Sequence, residues 1–82
     1  MTAPRILVVD DEPNIRDLLV TSLRFAGYQV RAVANGAQTI SAVLEEEPDL
    51  IILDVMLPDM NGFSVTKRLR GAGYTAPILF LT

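Results

Sequence analysis

Apolar residues along this chain fall into two kinds of run. Three runs are short and unbroken: residues 6–9, residues 50–53 and the segment "PILFLT" at 77–82. With no polar alternation, each predicts a strand covered on both faces. A fourth run, "YQVRAVA" at 28–34, alternates Gln29 and Arg31 with apolar neighbours and predicts a strand nearer an edge. Between these runs the apolar positions return at helical spacing. Ile15, Leu18, Leu19 and Leu23 mark a first helix, with Pro13 suited to its first turn and Gly27 placed to close it. Asn35-Gly36 turns the chain into a second helix over 37–46, with Ile40, Val43 and Leu44 on its inner face and Pro48 ending it. The loop "MLPDMNG" leads to a third helix over 62–70, broken by Gly71 and Gly73. In that loop Met56, Leu57 and Met60 read as packing, while Pro58 and Asn61-Gly62 shape the turn and start the helix. The order βαβαβαβ with short connections predicts an α/β fold, a parallel sheet with helices on both faces.

Composition narrows the class. With 82 residues, half of them hydrophobic, and a net charge of -3, the chain reads as one small domain with a thin core. There is no cysteine, so no disulfide staples it. "MTAPR" is followed by only four apolar residues before a run of acids, too short for a signal peptide or membrane span, and a cytoplasmic protein without membrane contact is expected. A mildly acidic balance offers no electrostatic footprint for nucleic acid. Lys67, Arg68 and Arg70 read as a solvated helix face. The last apolar strand has no further element beside it, which predicts self-association through the exposed fourth-strand edge or exchange of elements between chains.

The acids carry the chemistry. Asp10 and Asp11 follow the first strand, Asp54 the third, and Thr82 ends the fourth. Open parallel sheets bind ligands beyond the carboxyl ends of their strands, where strand order reverses. If the order is 2-1-3-4, the first and third strands are neighbours and three carboxylates converge. Bare, they repel, and one of them should raise its pKa. A hard divalent cation removes the conflict, and magnesium takes oxygen ligands and pairs readily with phosphate. Compensation of a helix dipole accounts for one or two acids ahead of the first helix, by about 0.3 to 1 kcal/mol each, but not for a third on a different strand. Asp54 alone could be an ordinary strand-end aspartate satisfied by loop amides, although its flanking Leu53 and Val55 make it costly to bury unpartnered. Thr82 alone is equally well a good strand residue.

In matching order and spacing over essentially the whole chain, "VVDDEPN", "LDVMLPDMNG" and "ILFLT" resemble the receiver (CheY-like) domain of two-component response regulators. The likeness is greatest to receivers of the OmpR/PhoB-like transcription-factor group. It implies a flavodoxin-like, doubly wound parallel sheet in the order 2-1-3-4, an order carried over from the family. It also implies a phosphoacceptor that assists its own phosphorylation rather than a turnover enzyme. Asp54 would accept a phosphoryl group from a sensor histidine kinase. Asp11, Asp54 and the backbone carbonyl of Met56 would ligate Mg2+, Asp10 would act mainly through a metal-bound water, and the Thr82 hydroxyl would sense the phosphoryl group. DNA would be contacted only through an effector domain absent here.

One departure accompanies the match. Receivers carry a lysine at the end of a fifth strand, whereas Lys67 and Arg68 lie mid-helix, so residues 1–82 resemble a partial receiver lacking the fifth strand and last two helices. That leaves a phosphorylation-incompetent interaction or dimerisation module as the alternative. Two other classes fit less well. A nucleotide-binding module needs glycines after the first strand, where this chain has "DDEPN". A phosphohydrolase with an aspartate nucleophile needs a second acid two residues on, where this chain has Met56.

Overall fold

Seven elements alternate along the chain: β1 (Arg5–Val9), α1 (Pro13–Phe25), β2 (Gln29–Val33), α2 (Gly36–Glu45), β3 (Leu50–Asp54), α3 (Gly62–Gly71) and β4 (Ile78–Leu81). The structure is a computed structural model and describes residues 3–81. All strand pairs are parallel, and the sheet runs β2-β1-β3-β4. The expected α/β architecture and strand order are therefore present, with β2 at an edge as its alternating pattern required.

The unbroken apolar strands divide their residues between two cores because successive side chains point to opposite faces. On one face Leu7, Val9, Ile51 and Leu53 pack with Ala42 and Val43 of α2, Val65 and Leu69 of α3, and Tyr74. On the other, Ile6, Val8 and Ile52 meet Leu19 and Leu23 of α1. Ile15 and Leu18 share the helical period of those leucines but remain exposed, since α1 covers its face of the sheet alone among the described elements.

One expected inner-face residue is corrected. Leu44 is 72% exposed. The stripe that α2 buries consists of Gly36, Thr39, Ala42 and Val43. These mostly small residues let the helix lie close to its neighbours and turn Leu44 onto the outer flank.

The helix ends follow local chemistry. Glu12, Asn35 and Asn61 cap the three N-termini by accepting from the backbone N–H groups of Asn14, Gln38 and Ser64. Helices α1 and α3 both end with a glycine of positive φ, 101° at Gly27 and 95° at Gly73. In each the following tyrosine returns a bond, Tyr28 N–H to the Leu23 carbonyl and Tyr74 N–H to the Leu69 carbonyl. This arrangement satisfies carbonyls that would otherwise be orphaned.

Candidate metal and phosphoacceptor site

Register brings the acids together. Val9 at the end of β1 lies beside Leu53 on β3, so Asp10, just past β1, and Asp54, the last residue of β3, stand at the same height. One carboxylate oxygen from each of Asp10, Asp11 and Asp54 lies within 4.8 Å of the others. Asp10 is buried at 3% exposure, Asp54 is half-buried and Asp11 is exposed.

Each loop supplies a hydrogen bond to its own carboxylate. Glu12 N–H donates to Asp10 Oδ1 at 2.9 Å, and Met56 N–H donates to Asp54 Oδ1 at 2.9 Å. Burial raises the Asp10 pKa above the usual carboxylate value; the Glu12 amide opposes this, and the charges of Asp54, Asp11 and Glu12 add to it. The acid whose pKa rises is thus Asp10, through burial more than through repulsion. Arg16, on α1, donates to the Asp10 main-chain carbonyl at 2.9 Å and fixes the turn that presents the two acids.

The loop after β3 is tied at two places. At its neck Gly62 N–H donates to the Val55 carbonyl at 2.7 Å, and Met56 forms an isolated antiparallel bridge with Asn61. Gly62 approaches so closely that a β-carbon there would stand 2.7 Å from the Asp54 carbonyl oxygen. At its tip both oxygens of Asp59 accept bonds from α2, Oδ1 from Gly36 N–H at 2.8 Å and Oδ2 from Ala37 N–H at 2.9 Å.

Of the loop residues expected to pack, Leu57 and Met60 do so against the larger core. The Met56 side chain is 75% exposed, so packing is not its role. Thr82 lies outside the described residues. Asp59 and Arg16 were not distinguishable from their sequence. Asp59 sits in a turn-like "PDMNG" where any aspartate suits the turn, and its partner Gly36 is 23 positions away.

A tight group of carboxylate oxygens at a strand-end crevice suits a hard cation. The family profile described as "Response regulator receiver domain" matches residues 6–82. This chain belongs to the response regulator receiver family. It is 46% identical over 81 residues to the DNA-binding dual master transcriptional regulator RpaA of Synechocystis, an alignment covering 96% of this chain and 34% of the relative. The receiver thus spans about a third of the length of the curated relatives it matches, 34% for RpaA. Among solved structures, the Vibrio cholerae chemotaxis response regulator CheY4 superposes with a TM-score of 0.91 at 34% identity, covering 96% of this chain and 68% of that one. The response regulator TrrA of Thermotoga maritima, solved in complex with Mg(2+)-BeF, superposes at 0.90 with 40% identity, covering 100% of this chain and 70% of that one. Among the described residues of this receiver, no helix is long and apolar enough to cross a membrane.

Proposed function

We propose that residues 1–82 form part of a receiver domain in which Asp54 is the phosphoacceptor and Asp10, Asp11, Asp54 and the Met56 backbone carbonyl hold Mg2+. The observation that carries this reading is the convergence of the three carboxylates within 4.8 Å. The raised pKa of Asp10 supports it, because a buried acid beside two others is relieved by a cation. The magnesium-bearing TrrA structure supports it by relation.

Asp54 supplies the nucleophile. Its carboxylate oxygen forms the new O–P bond while the N–P bond of a kinase phosphohistidine breaks, and the electron pair returns to the imidazole. The product is an acyl phosphate. Met56 N–H, by engaging Oδ1, restrains the rotation of this carboxylate. Magnesium, when bound, neutralises negative charge on the phosphoryl oxygens. Thr82 is assigned the phosphoryl-sensing hydroxyl; its predecessor Leu81 pairs with Asp54.

The partner is a sensor histidine kinase, and the outcome is a changed effector activity in a cytoplasmic transcriptional regulator, with DNA contacted outside this segment. The receiver acts once per signal rather than as a turnover enzyme. The test is incubation of the intact regulator with a small phosphodonor and Mg2+, with mass spectrometry as readout. A single phosphoryl mass gain that disappears in Asp54→Asn and with chelator is expected. Unchanged labelling of Asp54→Asn removes the assignment, and no labelling of the native protein makes it an interaction module.

A further inference from the structure

We propose that Asp59 is a positioning residue for the metal site, holding the loop that carries Met56 by clamping its tip to the first turn of α2. The inference rests on the magnesium reading above and adds a residue to it. Four backbone N–H groups open α2. Gln38 N–H is taken by the Asn35 side chain and Thr39 N–H by the Asn35 carbonyl, which is ordinary local capping. Gly36 and Ala37 N–H are taken by Asp59, which comes from the loop after β3 rather than from beside the helix. A carboxylate at a helix N-terminus makes charge-assisted bonds in a favourable field. The two amides also lower the Asp59 pKa, so the clamp is charged at neutral pH.

The geometry gives these bonds a tertiary consequence. Met60, next to Asp59, lies against Gly36 so closely that a β-carbon at 36 would stand 2.5 Å from Met60 Cγ. The Met56 side chain is exposed, so its backbone is held by its N–H bond to Asp54 and by the rest of the loop rather than by burial. The Val55–Gly62 bond and the Met56–Asn61 bridge hold the neck. Asp59 holds the far end, and fixing it as well as the neck narrows the orientations open to the Met56 carbonyl. A ligand oxygen ordered in advance loses less conformational freedom when the cation arrives.

The test is isothermal titration of the 82-residue chain with MgCl2, alongside urea unfolding and amide hydrogen exchange. Asp59→Ala is expected to weaken magnesium binding by about tenfold, the low end for contacts that orient a ligand from outside its shell. Asp59→Asn keeps one acceptor and should fall between. Asn35→Ala removes a cap from the same helix end without touching the loop, and should lower the unfolding midpoint while leaving magnesium affinity within about twofold. Linkage requires the reverse effect: magnesium should slow amide exchange at Gly36 and Ala37 in the native chain but not in Asp59→Ala. If both Asp59 variants bind magnesium like the native chain and lose only stability, Asp59 is merely a cap and the inference is overturned. If the native chain takes up no magnesium, the metal reading fails and this inference with it.

Discussion

Gly62 is pressed against the main chain of Asp54: a β-carbon at position 62 would lie 2.7 Å from the Asp54 carbonyl oxygen and 3.1 Å from Val55 Cα. Its φ is not positive, so the requirement for glycine is one of space rather than of backbone conformation. Gly62 is the first residue of α3, immediately after the Asn61 cap. Because the backbone atoms of Asp54 and Val55 cannot step aside as a flexible side chain can, Gly62→Ala should destabilise the chain by about 1 to 3 kcal/mol. Gly36→Ala meets the Met60 side chain at 2.5 Å instead, and a methionine can change rotamer. Urea midpoints should therefore place Gly36→Ala closer to the native chain than Gly62→Ala, and the opposite order would contradict this account.

Asp10→Asn should stabilise the metal-free chain at neutral pH by removing a charge that burial disfavours. The folded chain raises the Asp10 pKa above the ordinary value of 3.8, chiefly by burial. Between the unfolded and folded pKa the native state binds more protons, so stability falls as pH rises through that window. The penalty is complete above the folded pKa and absent below the unfolded one. Thermal unfolding of both proteins across pH should show the gap closing towards acid; a gap that widens there would remove this explanation.

Magnesium should stabilise the native chain and do so through the acids. At a free concentration one hundred times the dissociation constant, one site present only in the folded state adds about 2.7 kcal/mol. Chelator should return the unfolding curve to its starting point. Asp11→Ala, at an exposed member of the cluster, should leave the fold intact and abolish the magnesium shift. A shift that persists in this variant would place the cation elsewhere.

The edge of β4 should drive association of the isolated chain. Among the described residues β4 pairs only with β3, and Leu79 stands 56% exposed on it. An unpaired strand edge beside exposed apolar surface invites pairing with another copy. Light scattering of the 82-residue chain should show mass rising with concentration, and substitution of Leu79→Lys should suppress it. A concentration-independent monomer mass would exclude this route.

What the sequence determined by itself is local. The unbroken apolar runs at 6–9 and 50–53, the helical period of Leu19 and Leu23 and the capping asparagines at 35 and 61 each act within a few residues, so pattern and hydrogen-bonding chemistry are enough to place the elements. What only the tertiary structure decided is which separate segments meet. The alignment of Val9 with Leu53 brings Asp10 and Asp11 to Asp54, whereas the sequence offered that meeting only under an assumed strand order. The same holds for Asp59 on the first turn of α2, and for Leu44, whose period suits the core but which the close approach of a small-residue stripe turns outward. Periodicity records which face of an element is apolar; the register between strands and the distance at which helices pack arise from contacts between residues far apart in the chain, and no local pattern encodes them.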